Sequence, residues 1–233
     1  DGSYVASITY TDVDASFTDW HPMAIATNGT NRIYVGDHLR PKIYVLDASL
    51  ALQATWDLTT LQLGNNQNPG EATPELDQHI RSLGFQTEGG SNYLYVCGWY
   101  GTAKLLVSSD TFSTVWNQNR YTLAGGQEAY SGGWQVIPTA NGVFTIQADE
   151  VGPSGSAIVR ALSNGALLSS HSIGSAAYPS GGVPYGGTYQ NGHLLTTNQI
   201  PDRGGSGDVV AYPCIDTWTY SAGTLTFVDS DYT

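Results

Sequence analysis

The chain has 233 residues, and only 12% of them are charged; 20 acidic and 8 basic side chains leave a formal net charge of -12. Nucleic acid is excluded as an expected partner, because phosphate binding needs clustered cations and the sequence contains only two lysines, Lys42 and Lys104. No apolar run approaches the ~18 residues of a membrane-spanning helix, so insertion into a membrane is not expected either.

The first segment of the chain, residues 1–19, is predicted to form two β-strands, over residues 4–10 and 13–18. This segment belongs to none of the repeated units that follow it. We expect its strands either to add to the outer edge of the last unit and close the fold, or to pair with a strand edge on a neighbouring copy of the chain.

The rest of the chain repeats one unit four times. Each unit begins with a strand, turns at a short polar segment that contains Asn or Gly, and returns in a strand rich in β-branched and aromatic residues, as a tight hairpin requires. A variable loop and a second hairpin follow. The four units run from Met23 to Trp56, from Ser82 to Trp116, from Gln135 to His171 and from Tyr185 to Val228.

One connection is longer than the others. It runs from Thr59 to Gln78, and its central residues 64–70 have the Gly, Pro and Asn density that is typical of surface coil. No linker is evident in the sequence, so a single domain is favoured over two.

The repeats predict the architecture. Equivalent positions at Ile33, Leu94, Phe144 and Leu194 are 61, 50 and 50 residues apart, which is about the length of one propeller blade. We therefore predict an all-β chain, a small β-propeller of four four-stranded blades plus an extra N-terminal strand pair. The single domain spans residues 1–233, with blades at about 20–58, 79–123, 133–173 and 183–230.

Two stretches carry a family resemblance. Residues 20–26, from Trp20 through Pro22 to Ala26, followed by Arg32 to Asp37 and Lys42 to Asp47, resemble the blade pattern of NHL-type and YVTN propellers. The hairpin from Ser221 to Leu225 resembles that of lactonase-type propellers. The resemblance implies the architecture; propellers with such blades bind, scaffold or catalyse, so it does not select a function.

The propeller architecture predicts where a ligand would bind. The loops from the second to the third strand of each blade share one face with the loops between blades, and their aromatic rings, carboxylates and arginines suit a sugar-like ligand. The candidate ligand-binding residues are Trp20, His21, Asp37, His38, Arg40, His79, Trp99, Tyr100, Asp149, Glu150, Asp202 and Arg203.

No catalytic residue, metal site or cofactor is assigned from the sequence. His21, His38 and His79 fall in neighbouring loops, but a metal site needs three or four ligands with partners of their own, and hydrogen-bonded loop histidines are the preferred interpretation. Nucleophile and phosphate-binding signatures are absent from the sequence.

The two cysteines and one glycosylation sequon indicate the compartment in which the chain is expected. Cys97 and Cys214 fit no metal-ligand spacing; they either close one long-range disulfide or remain two buried thiols. Asn28-Gly29-Thr30 is compatible with glycosylation of Asn28 in a eukaryotic secretory pathway. Together with the low charge content, these features favour a secreted or cell-surface glycoprotein.

These observations predict a non-enzymatic extracellular propeller. It would act as a binding module for a glycan-like ligand, or as a structural protein that assembles into homo-oligomers or filaments. The alternative is a propeller enzyme of the lactonase or polysaccharide-degrading type. Its acid and base groups would come from the loop residues Asp37, His38, Asp149, Glu150, Asp202 and Arg203.

Overall fold

The computed structural model of the protein describes residues 7–13, 22–64, 79–119, 132–148, 155–172, 183–203 and 209–232. These residues form sixteen β-strands. A short helix α1 (Tyr10–Val13) and a 3₁₀ turn (Thr59–Leu61) accompany them. The strands are β1 (Pro22–Thr27), β2 (Arg32–Asp37), β3 (Lys42–Asp47), β4 (Leu52–Asp57), β5 (Ser82–Glu88), β6 (Ser91–Cys97), β7 (Gly101–Ser108), β8 (Thr111–Asn119), β9 (Gln135–Thr139), β10 (Gly142–Ala148), β11 (Gly155–Arg160), β12 (Leu167–Ser172), β13 (Val183–Gln190), β14 (His193–Arg203), β15 (Val209–Ser221) and β16 (Thr224–Tyr232).

Consecutive strands pair antiparallel into four four-stranded sheets, β1–β4, β5–β8, β9–β12 and β13–β16, here called blades 1 to 4. This confirms the predicted fold class, all-β with four four-stranded blades. The first strands of successive blades lie side by side, β1 beside β5, β5 beside β9 and β9 beside β13. Among the described residues, no comparable packing joins a strand of blade 4 to a strand of blade 1.

The core lies between the blades. Alternate residues of each strand point to opposite faces of the sheet, so every inner blade buries one set of side chains against each neighbour. In blade 2, Leu94 packs in one cluster with Tyr34 of blade 1, whereas the next residue, Tyr95, packs in another with Val143 of blade 3. Hydrogen bonds also cross these boundaries: the indole nitrogen of Trp56 donates to the Asp110 carbonyl at 2.8 Å.

The sequence analysis treated Phe144 as the counterpart of Leu94 and Leu194, and this equivalence was wrong by one residue. Phe144 packs in one cluster with Leu194 of the next blade. The true counterpart of Leu94 and Leu194 is therefore Val143, which faces the preceding blade. A shift of one residue along a strand moves a side chain to the opposite face, and both Val143 and Phe144 are apolar, so the sequence pattern did not separate them.

The N-terminal prediction was wrong within residues 7–13. Instead of strands, this stretch contains the helical turn α1. Asp12 stabilises that turn, because its carboxylate accepts hydrogen bonds from both the backbone nitrogen and the hydroxyl of Thr9, each at 2.7 Å. The bond from the Thr9 nitrogen is one half of a capping box. The remainder of the predicted strand pair lies outside the described residues.

Two predicted loops also differ from the structure. Pro201, Asp202 and Arg203 lie inside β14, where they pair with Ala211, Val210 and Val209 of β15, because the β-branched residues of β15 continue the ladder. The long connection after β4 begins in the core and not as surface coil, since Leu61 and Leu63 are buried. Residues 65–78 of that connection lie outside the described residues.

Cys97 is a fully buried free thiol, so a disulfide between Cys97 and Cys214 is not formed in the structure. Its sulfur lies 3.4 Å from the Gly133 carbonyl oxygen and 3.5 Å from that of Gly98, to which the thiol donates. Among the described residues, no helix is long and apolar enough to cross a membrane.

Candidate ligand site on the loop face

The site is centred on a buried arginine between two indole rings. The guanidinium carbon of Arg81 lies 3.9 Å from the ring centroid of Trp99 and 3.8 Å from that of Trp134. Arg81 is buried, whereas both tryptophans are half-buried. Each cation–π contact contributes about 0.5–2 kcal/mol, the larger values applying to desolvated cations such as this one. Arg81 therefore holds the two rings in fixed positions.

The three residues come from different parts of the propeller. Trp99 belongs to the loop between β6 and β7, Arg81 directly precedes β5, and Trp134 directly precedes β9. These segments meet because loops between the second and third strands share a face with connections between blades. The arginine thus joins blade 2 to blade 3 at the face where a propeller presents its ligand-binding loops.

Tyr100 extends this aromatic surface. Its ring meets that of Trp99 edge to face, with centroids 6.2 Å apart. Its backbone nitrogen donates to the Leu63 carbonyl at 2.8 Å, so the buried start of the long connection supports the loop from below. We call Arg81, Trp99, Tyr100 and Trp134 the aromatic cluster.

Two glycines allow the close approach of backbones beneath the aromatic cluster. A Cβ atom at Gly132 would lie 2.3 Å from the carbonyl oxygens of both Gly98 and Trp99, and one at Gly98 would lie 2.2 Å from that of His79. Such distances exclude any side chain, so only glycine fits at either position. The loop that carries Trp99 is consequently held between backbones on both sides.

Cys97 leads into this loop but is not suited to act as a nucleophile. Burial raises the pKa of its thiol to about 11, and the hydrogen bond from the Thr102 hydroxyl opposes that shift without cancelling it. The thiolate is the nucleophilic form of cysteine, and at neutral pH this residue is a thiol. It serves as a small buried side chain below the aromatic cluster.

A second group of candidate residues lies in the loop between β2 and β3. Asp37 is buried and accepts hydrogen bonds from the Leu39 nitrogen at 2.9 Å, from Arg40 Nη1 at 3.1 Å and from the Tyr44 hydroxyl at 3.4 Å. The backbone nitrogen of His79 donates to the His38 carbonyl at 2.8 Å. Asp37 therefore shapes its own loop.

The structure thus brings the predicted residues together in two groups. Asp37, His38, Arg40 and His79 lie at the junction of blades 1 and 2, while Trp99 and Tyr100 lie at the junction of blades 2 and 3. Trp20, His21, Asp149 and Glu150 lie outside the described residues, as do the side chains of Asp202 and Arg203, so their part in a site stays a prediction. Within the described ranges, no three metal-ligating side chains form a group.

Sequence reasoning missed Arg81 and Trp134. Both lie immediately before the first strand of a blade, the position for which Trp20-His21 were proposed in blade 1 and His79 in blade 2. Aligning the blades by that position would have identified them as residues of the same face. The contact between the cation and the two rings has no sequence signal, because Trp99 and Trp134 lie 18 and 53 positions after Arg81 along the chain.

Asn28, the candidate glycosylation residue, lies in the turn between β1 and β2, at the opposite end of these strands from the ligand loops. Its side-chain oxygen accepts hydrogen bonds from the backbone nitrogens of Thr30, Asn31 and Arg32 at 2.9–3.0 Å. The side chain therefore organises the turn, and glycosylation at this position stays a prediction.

Comparison with solved structures places the chain among β-propellers. Similar structures include hydrazine synthase from Kuenenia stuttgartiensis (TM-score 0.60, 11% identity, 89% of this chain and 53% of that one). The Pan2 WD40 domain of Neurospora crassa is also similar (TM-score 0.56, 8% identity, 90% and 51%). BamB of Moraxella catarrhalis is a third (TM-score 0.55, 12% identity, 99% and 54%).

These neighbours define the class of protein and nothing narrower. At such low identity the likeness concerns the fold, and the neighbours include an enzyme as well as a WD40 domain. The chain spans about half the length of each of the three. No protein-family model and no curated protein sequence matches it. The chain is a β-propeller protein with an aromatic cluster on its loop face.

Proposed function

We propose that the protein is an extracellular binding module that takes a glycan-like ligand on the aromatic cluster. The observation that carries this proposal is the Arg81 guanidinium between Trp99 and Trp134, with Tyr100 beside them. Half-exposed rings that are rigidly held can stack against the apolar CH face of a sugar without losing much side-chain freedom on binding.

The polar groups around the rings fit the same ligand class. Arg40 and His38 of the loop between β2 and β3 lie on the same face of the propeller. Charged and amide groups next to aromatic rings bind hydroxyl groups in the directions that their hydrogen bonds require. A binding module needs no reactive group, in agreement with the buried, protonated thiol of Cys97.

The competing function is that of a propeller enzyme. Of its proposed acid and base groups, Asp37 is occupied by three hydrogen bonds, one of them in an ion pair with Arg40. These contacts hold the Asp37 carboxylate within its own loop. The binding proposal is therefore favoured.

The test is binding of the full chain to a glycan array, followed by titration of the strongest ligand by tryptophan fluorescence. We expect Trp99→Ala to weaken binding about tenfold, which corresponds to about 1.4 kcal/mol. Trp99→Phe keeps a ring at that position and should lose less affinity.

Leu168→Ala, an exposed residue on the outer strand β12, is the matched control and should bind as the parent chain does. No binding to any glycan, or equal binding by the Trp99→Ala and Leu168→Ala variants, would remove the proposal. The proposed extracellular location is tested on native material by mass spectrometry of the peptide that contains Asn28. A glycan attached to Asn28 supports this location, and an unmodified chain recovered from cytoplasm contradicts it.

A further inference from the structure

Four asparagines of the chain are followed directly by glycine, and each lies in a connection between two antiparallel strands: Asn28, Asn141, Asn164 and Asn191. An asparagine before a glycine can lose its side-chain amide without an enzyme, because no Cβ crowds the glycine nitrogen as it attacks the side chain. The reaction needs a free nitrogen on the glycine and an asparagine side chain that is able to turn towards it. The structure shows which of the four positions meets both conditions.

At Asn28 both groups are held by hydrogen bonds. The Asn28 side-chain oxygen accepts from three backbone nitrogens of its own turn, and its nitrogen donates to the Asn31 side-chain oxygen at 3.1 Å. The Gly29 nitrogen donates to the Thr27 hydroxyl, also at 3.1 Å. Attack on Asn28 would have to break all of these bonds.

At Asn164 the glycine is held by its backbone and by packing. The Gly165 nitrogen donates to the Ala161 carbonyl at 3.0 Å, and the Asn164 side-chain oxygen accepts from the Ala166 nitrogen at 3.0 Å. Gly165 is buried, and a Cβ atom at this position would lie 2.6 Å from the ring of Trp116. This glycine nitrogen is therefore not available for attack while the blade is folded.

At Asn141 the sheet itself holds the glycine. Gly142 is already a residue of β10, where it is buried and pairs with Thr139 of β9. Its carbonyl accepts a hydrogen bond from the Thr139 hydroxyl at 2.9 Å. Reaction at Asn141 would require this hairpin to open.

The step from Asn191 to Gly192 has none of these restraints. It is the two-residue turn between β13 and β14, closed by the pairing of Gln190 with His193. Both turn residues are exposed and have positive φ angles, 52° and 82°, as in a type I′ turn. In the part of the chain that the structure describes, neither the Asn191 side chain nor the Gly192 nitrogen makes a hydrogen bond. A Cβ atom at Gly192 would meet no atom within 4 Å.

We propose that the folded protein modifies itself at Asn191 by deamidation, ahead of the other three positions. The Gly192 nitrogen gives its proton to solvent and bonds to Cγ of Asn191, while the bond from Cγ to Nδ2 breaks and ammonia leaves. Water then opens the resulting five-membered ring at either of its carbonyl groups, which gives aspartate or isoaspartate. Water is the only co-reactant, and the net change is that of an amide to an acid.

The modification would change the first hairpin of blade 4. Either product adds a negative charge to a chain whose formal net charge is already -12. Isoaspartate also adds a main-chain atom to the two-residue turn, and such a turn fixes the register of the strands that it joins. The turn lies at the opposite end of the strands from the aromatic cluster, so the proposal is independent of glycan binding.

The first test is incubation of the folded full chain at mildly alkaline pH, with conversion followed at each asparagine by digestion and tandem mass spectrometry. We expect Asn191 to convert about tenfold faster than the other three, because each hydrogen bond that must open first slows a step by a factor of about two to ten. In urea all four should convert at similar rates, since glycine follows each of them. Equal rates in the folded chain, or faster conversion at another of the four, would overturn the proposal.

The second test uses two variants and the signal of the whole chain. Asn191→Gln keeps an amide in the turn, but its attack would need a larger ring that forms slowly. Labelling of the folded chain by an isoaspartate-specific methyltransferase should therefore fall about tenfold, by the same argument. Asn141→Gln, at another exposed turn position, is the matched control and should be labelled as the parent chain is. Labelling of Asn191→Gln at the level of the parent chain contradicts the assignment.

Discussion

At the scale of the residue, burial determines the chemistry of the few groups that could react. Cys97 lies below the aromatic cluster with its thiol in contact with backbone carbonyls of Gly98 and Gly133. Removal from water disfavours the thiolate, and this is the largest cause of its raised pKa. Cys97 is thereby a packing residue in the fold.

The raised pKa predicts a pH dependence of stability. The thiol ionises at about pH 9 in the unfolded chain and at about pH 11 in the folded one, so the folded state holds its proton longer. Its contribution to the free energy of unfolding is complete below pH 9 and is lost as the pH rises toward 11, by about 3 kcal/mol in total. Urea unfolding of the parent chain and of Cys97→Ala should therefore show a stability difference that shrinks over this interval.

A difference in the free energy of unfolding between the parent chain and Cys97→Ala that stayed constant from pH 8 to pH 11 would contradict the prediction. Other ionisable groups include Tyr34 and Tyr220, whose pKa values burial raises. They are present in both chains, so the subtraction removes their effect.

At the scale of the element, polar groups as well as apolar ones hold blade to blade. Lys104 on β7 is buried, and its ammonium lies 2.7 Å from the Glu88 carboxylate and donates to the Leu162 carbonyl of blade 3 at 3.0 Å. The Tyr95 hydroxyl donates to the same carboxylate. A strand that carries a lysine between apolar residues can therefore pack in the interior, because its charge is paired.

This network predicts unequal costs for two ion pairs. Glu88→Ala leaves the buried Lys104 ammonium without its carboxylate, and we expect a loss of about 2–3 kcal/mol in the free energy of unfolding. Asp110→Ala removes the partner of Arg32, whose side chain is more exposed, and should cost about 1 kcal/mol or less. Urea denaturation of the two variants measures both values.

The double variant Glu88→Ala/Lys104→Met provides the control for the first value. It contains no unpaired buried charge and should regain part of the lost stability. If the two single variants lost equal stability, or if the double variant lost more than Glu88→Ala alone, the interpretation of the network would be wrong.

At the scale of the whole molecule, the energetic value of a residue depends on whether a neighbouring blade covers it. Leu83 and Ile25 occupy the same register position, but only Leu83 has a described blade against it. Measured in dilute solution, Leu83→Ala should lower the free energy of unfolding by about 2–3 kcal/mol. Ile25→Ala should lower it by less than about 0.5 kcal/mol. Equal losses would show that a surface within the same chain covers Ile25.

The repeated hairpins, their turns and the alternation of apolar residues were enough to predict sixteen strands in four sheets. These are local features, since a hairpin needs only a turn and two strands of suitable residues. The same locality explains the errors. Val143 and Phe144 are both apolar, so the pattern did not show which of them faces blade 2, and the paired strands that contain Pro201 to Arg203 were predicted as a loop.

The sequence by itself determined the class of fold, the face of the propeller on which the loops between second and third strands lie, and the acidic net charge of the chain. Only the tertiary structure decided that Arg81 lies between Trp99 and Trp134, that Lys104 and Cys97 are buried, and that Ile25 and Ile215 are exposed. The physical reason is that burial and contact are properties of pairs of blades. Identical strand patterns in consecutive blades therefore have different surroundings according to their place in the ring.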